Sequence, residues 1–221
     1  MFDGLFWYLP HIWDYFLQMV PCMCAALILY FLTLRGRVRR LQLRGLISPL
    51  RREIVFLIFI MYLAGLAALT LFPADFWFSV WSGRPIAEFY PTWEKIFAET
   101  DYRNLFAPFQ EIRRAITKGS RWLWLMLLSN ILMFIPLGLL PTLLWRRWRW
   151  WKAFLFGALT SVSIETVQFF IGRSTDIDDV ILNTGGTLLG FWLYCLLRGL
   201  FPRGISKFQC YTDGSTQEWT N

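Results

Sequence analysis

Histidine is almost absent from this chain, and charge is scarce. His11 is the only imidazole, which removes most histidine-based acid–base and metal chemistry from consideration. Charged side chains make up 17% of the residues, against about a quarter in an ordinary soluble domain. There is no CxxC pair, and Cys22, Cys24, Cys195 and Cys210 have the spacing of neither a zinc site nor a disulfide framework. They are expected as buried thiols in membrane helices. No glycine-rich phosphate loop and no GxSxG nucleophile elbow occurs. The start, MFDGLFWYLPHIWDYF, has no basic region of the kind that opens a cleavable signal. Nothing calls for a cofactor.

Apolar surface is what the chain has in abundance: 56% hydrophobic residues, with 13 Trp and 21 Phe. A membrane helix needs roughly 20 mostly apolar residues, and five stretches qualify. They run from Ile12 to Leu34, Ile54 to Phe72, Trp122 to Trp145, Trp151 to Ile171 and Val180 to Phe201. The expected fold is an all-α, polytopic transmembrane bundle of about five spans. The net charge of +7 is not a nucleic-acid signature, because the basic residues flank apolar segments, where they set topology.

The segment RGRVRRLQLRGLISPLRR holds seven arginines and no acid. RRWRWWK and the stretch from Arg198 to Lys207 are also basic. All three fall on one side of a five-span chain. The positive-inside rule then predicts an outer N-terminus and a cytoplasmic C-terminus. The Trp-Arg run reads as a tight hairpin at the inner interface, next to anionic lipid. Residues 74–121 form one long outer loop, in which Phe76, Trp77, Phe78 and Trp81 are expected at the interface. The tail after Phe201 is polar and expected to be loose.

Polar residues at membrane depth need an explanation. Asn130 lies in the third span, Ser161, Glu165 and Gln168 in the fourth, and Asn183 in the fifth. Arg173, Asp176, Asp178 and Asp179 sit in the turn between the fourth and fifth. In the predicted orientation Asn130 is about 12 Å deep, Glu165 roughly 9 Å and Asn183 roughly 6 Å, at 1.5 Å per residue. All are then in the outer half of the bilayer, where they can share a pocket. Ser161, Glu165 and Gln168 occupy one helix face. Gly186 and Gly190 permit close helix approach. Pro136 deprives the Leu132 carbonyl of its helix donor, so a kink is expected nearby.

The strings SNILMFIPLGLLP (129–141) and SIETVQFFIGRSTDIDDVILNTGGTLLGFWLY (163–194) resemble the VanZ-like family of bacterial membrane proteins. Asn130, Phe134, Pro136, Gly138, Glu165, Gln168, Asp176, Asp179, Asn183 and Gly186 carry the pattern. RNLFAPF resembles the family's Asn-Leu-x-Pro-Phe stretch, with one extra residue between Asn104 and Pro108. The expected organisation is two N-terminal helices with a basic loop and part of the outer loop (1–103), a VanZ-like three-helix core (104–201) and a cytoplasmic tail (202–221). The resemblance implies a role linked to teicoplanin, a lipid-tailed glycopeptide.

Three readings of the polar residues stay open. One is a purely structural network, with Glu165 paired to Arg173 or Arg121 and an aspartate capping the last helix. Another is a ligand site of Asn130, Glu165, Gln168, Arg173, Asp176, Asp179 and Asn183. Its ligand would be an amphiphile, such as a lipid-linked cell-wall precursor or a lipoglycopeptide, with membrane lipids as the other partners. The third is an enzyme with Glu165 as acid or base and Asp176, Asp178 and Asp179 as weak candidates for Mg²⁺. A transport or structural role in the envelope is a further alternative.

Overall fold

A computed structural model describes residues 3–72, 76–85, 91–99, 107–173 and 175–212. Helix α1 spans Asp3–Gln42, strand β1 Leu46–Ile47 and α2 Leu50–Leu71. Three short helices follow: α3 (Phe76–Trp81), α4 (Trp93–Glu99) and α5 (Gln110–Lys118). Then come α6 (Arg121–Leu144), α7 (Trp150–Phe170), α8 (Ile177–Leu200), α9 (Pro202–Ser206) and strand β2 (Tyr211–Thr212). Five helices are long and apolar enough to cross a membrane: α2, α6, α7, α8 and the Tyr15–Gln42 part of α1. The chain is a transmembrane helical bundle.

Two boundaries differ from the sequence expectation. Helix α1 continues through the arginines to Gln42, because arginine is a good helix former and Arg39 and Arg40 suit the negative end of the helix dipole. At 1.5 Å per residue its 40 residues extend about 60 Å, twice a hydrocarbon core of about 30 Å. Helix α8 starts at Ile177, so Asp178 and Asp179 are in its first turn rather than in the loop. The polar segment after Phe201 is not loose throughout: Ile205 of α9 is buried, and β2 pairs antiparallel with β1, Leu46 opposite Thr212 and Ile47 opposite Tyr211.

The core lies around α6. Phe134 and Leu137 are fully buried and pack with Val55, Phe59 and Leu66 of α2 and Ile164 of α7. Helices α6 and α8 meet backbone to backbone. A Cβ at Gly138 would overlap the Thr187 carbonyl, one at Gly186 the Ile131 carbonyl and one at Gly190 the Ile135 carbonyl. The α6 helix runs continuously through Pro136 and Pro141. The carbonyls next after the two that the prolines leave without a helix donor, Leu132 and Leu137, accept side-chain bonds: Tyr62 Oη donates to Met133 at 2.8 Å and Thr142 Oγ1 to Gly138 at 2.6 Å. On the outer surface, hydroxyls bond their own helix. Ser163 Oγ donates to Leu159 and Thr166 Oγ1 to Val162, each at 2.7 Å, so neither needs water. Among the described residues no disulfide forms; Cys24 is exposed and Cys210 lies beyond α9, so the thiols are not uniformly buried in helices.

The three basic segments share one end of the bundle. The β1–β2 pairing joins the α1–α2 connection to the segment after α8. Trp145, at the α6–α7 hairpin, packs edge-on against Phe56 and Phe59 of α2. Inside the α1–α2 hairpin, Glu53 accepts hydrogen bonds from Arg37, Ser48, Tyr30 (3.1 Å) and Arg52 (3.3 Å). Arg52 is 6% exposed and Glu53 9%, while the Arg37 guanidinium lies 4.0 Å from the Phe56 ring centre. This buried ion cluster was not foreseen from the sequence.

The opposite end carries the α7–α8 turn and the three short helices. Trp93 and Phe97 of α4 pack on Phe170 and Phe169 of α7. Phe76 and Ser79 of α3 are buried and Trp81 is exposed. Ala115 of α5 is buried with Leu127 of α6 and Leu182 of α8. Pro73, the expected stop of the second span, and Asn104 lie outside the described residues.

Candidate functional site

The site begins with the turn that joins α7 to α8. Gly172 takes φ +71°, its N–H donates to Phe169, and the Arg173 N–H donates to Gln168. This is the paired-bond helix ending that glycine favours. The chain reverses and Asp176 caps α8, its Oδ1 accepting from Asp178 N at 3.0 Å. Burial pushes the Asp176 carboxyl above its usual range, and the bond from the Asp178 N–H pulls it partly back.

The aspartates next to it face elsewhere. Asp178 is fully buried and accepts from the backbone N–H of Phe109 and of Glu111 (2.7 Å). It thereby caps a different helix, α5, and fixes Phe109 in a left-handed conformation with φ 65° that bulky residues rarely adopt. Asp179 accepts from Asn130 Nδ2 of α6 at 2.5 Å. The carboxyls of Asp176, Asp178 and Asp179 thus serve three separate partners, and the described residues contain no cluster of three metal-ligating side chains.

Glu165 of α7 completes the upper tier, its Oε2 accepting from the Asp176 backbone N–H at 3.1 Å. One helical turn deeper, Asn183 Nδ2 donates to Ser161 Oγ at 2.9 Å. The tiers correspond because Ser161 precedes Glu165, and Asp179 precedes Asn183, by four residues. Asn183 and Thr184 are 5% and 7% exposed, yet Asn183 Oδ1 and Thr184 Oγ1 have no hydrogen-bond partner among the described residues. A flipped Asn183 amide would still leave one polar atom unpaired. A buried unpaired polar atom costs about 1–3 kcal/mol.

Glu165, Asp176, Asp179, Asn130 and Asn183 thus gather at one end of α6, α7 and α8. Gln168 and Arg173 do not join them. Gln168 Nε2 donates to the Thr70 carbonyl at 3.0 Å. Arg173 Nη1 donates to Thr70 at 3.1 Å and Phe72 at 3.0 Å, not to Glu165. With Gln18, which donates to Phe72 at 2.9 Å, they satisfy the carbonyl end of α2, where helix dipoles favour cations. Gln18 and Thr184 are the residues sequence reasoning missed. Each was visible as a polar side chain within an apolar span, but neither was assigned to the site.

The VanZ/LLP1 family profile matches residues 59–198, which is more than half of the chain. The chain belongs to the VanZ/LLP1 family. Among curated proteins it is similar to Protein VanZ of Enterococcus faecium, 39% identical over 71 residues, or 32% of this chain and 44% of that protein. The match spans less than half of that relative's length. No solved structure matches. The VanZ/LLP1 match begins within α2 and covers α6, α7 and nearly all of α8. It therefore takes in both tiers of the site and the α2 carbonyls that Gln168 and Arg173 cap.

Proposed function

We propose that this VanZ-family protein binds the polar head of an amphiphilic envelope ligand between α6, α7 and α8, from the outer side of the bacterial cytoplasmic membrane. The observation that supports this best is the unpaired Asn183 Oδ1, one helical turn below Asp179, with the Thr184 Oγ1 of the next residue also unpaired. Unmet polar atoms in an apolar medium are costly, and the head of a bound ligand would supply the missing partners. The charge pattern supports the orientation: the arginine-rich end is the natural cytoplasmic end. An acyl tail of the ligand would remain among the apolar side chains around the bundle. Family membership supports a contribution to teicoplanin resistance.

The test uses a susceptible bacterium that expresses the full chain. Teicoplanin tolerance should rise with the native protein and disappear with Glu165→Gln and with Asn183→Ala, while folded protein in the membrane is unchanged. If both variants lose fold and function together, the residues are structural and the reading fails.

A further inference from the structure

Carboxylates and amide oxygens dominate the site, and nearly every donor near it is committed. Asn130 Nδ2 is spent on Asp179, and Asn183 Nδ2 on Ser161. The Asp176 and Asp178 backbone N–H groups are held by Glu165 and Asp176. Arg173, the cation of the turn, is directed at the carbonyl end of α2. Arg114, on the neighbouring α5, pairs with Glu111. Three carboxylates, Glu165, Asp176 and Asp179, remain in the upper tier without an ion pair within 4.0 Å among the described residues. One turn below, Asn183 Oδ1 belongs to a residue more than nine-tenths buried and is unpartnered, as is Thr184 Oγ1 of the next residue. Carboxylates gathered at one end of a bundle repel one another more strongly where water is scarce.

We infer that the group entering this site is a positively charged amine on an amphiphile, and that a phosphate head is excluded. This rests on the ligand-binding reading above and assigns it a chemical class. An ammonium brings three N–H donors and no acceptor. It offsets the carboxylate repulsion, and its donors suit the unpaired oxygens beneath. A phosphate would bring further negative charge to a site of three carboxyl groups, while Arg173 and Arg114 direct their hydrogen bonds at other partners. A mismatch of that kind costs affinity through both repulsion and desolvation.

Two probes with the same tail separate the possibilities: dodecylamine and dodecyl phosphate, titrated into the purified full chain in zwitterionic lipid nanodiscs. Dodecylamine should bind the native protein at least tenfold more tightly than dodecyl phosphate. Its binding should fall at least tenfold in Glu165→Gln and Asp179→Asn, with thermal unfolding confirming that each variant is folded. The preference of the native chain needs no variant, so the test survives if either one misfolds. Stronger dodecyl phosphate binding that both variants lose would overturn the amine assignment and leave the ligand site standing. Binding of neither probe in a variant-sensitive way would overturn both.

Discussion

At the residue scale, two buried polar side chains carry opposite expectations. Glu53 gathers Arg37, Arg52, Ser48 and Tyr30 around one carboxylate. Removing one partner of a buried ion pair strands the others and costs about 3–5 kcal/mol. Glu53→Ala should therefore lower stability by about that much, read as a large loss in melting temperature of the purified protein. Asn183 behaves differently, because half of its amide is already unpaired. Interhelical polar contacts in bilayers average about 0.6 kcal/mol, so Asn183→Ala should change stability by no more than that. A loss of several kcal/mol would show that Asn183 holds the bundle together. Asn183 was legible in the sequence, since an amide inside an apolar run stands out. The Glu53 cluster was not, because in a string of arginines a neighbouring glutamate looks like a solvated interface charge. What distinguishes it is the reversal at Pro49, which returns Glu53 to α1.

At the element scale, α5 depends on an aspartate from another helix. Its first N–H groups have no cap of their own, and Asp178 supplies one. Loss of a cap costs about 1 kcal/mol. Asp178→Ala should leave the five long helices intact and speed amide exchange at Phe109 and Glu111, measured by hydrogen–deuterium exchange. Unchanged exchange there would refute the tether. The α6–α8 pairing is less forgiving. A side chain at Gly186 would overlap the Ile131 carbonyl, and overpacking costs about 1–3 kcal/mol. Gly186→Leu should lower the melting temperature accordingly and splay the two helices. The GxxxG spacing made this contact readable in advance. The Asp178–α5 link was hidden, because nothing in local spacing says that an aspartate at the start of one helix will cap another.

At the scale of the whole molecule, five apolar runs and their basic flanks disclosed the bundle almost completely. Hydrophobicity acts over whole segments and needs no knowledge of partners. The fate of Gln168 and Arg173 could not be read this way. Gln168 was assigned to the pocket from the helix face it shares with Ser161 and Glu165, and Arg173 from its place in the turn, whereas the packing of α2 against α7 sets their direction. The proposed orientation predicts that a fluorescent protein fused after Thr212 matures in the cytoplasm, while a tag ahead of Asp3 is reached by protease added outside the cell. The reverse pattern would put the candidate site on the cytoplasmic side and undo the proposed access route.

The pairing of β1 with β2 also bears on how the protein is made. Residues 46–47 leave the ribosome long before residues 211–212, so β1 must wait, unpaired, while three further spans insert. The late-arriving strand adds the last tie at the bundle's arginine-rich end. Chains stalled before it would display an open backbone edge beside a dense positive surface. That is a chemical mark by which a quality-control protease can tell an unfinished copy from a finished one.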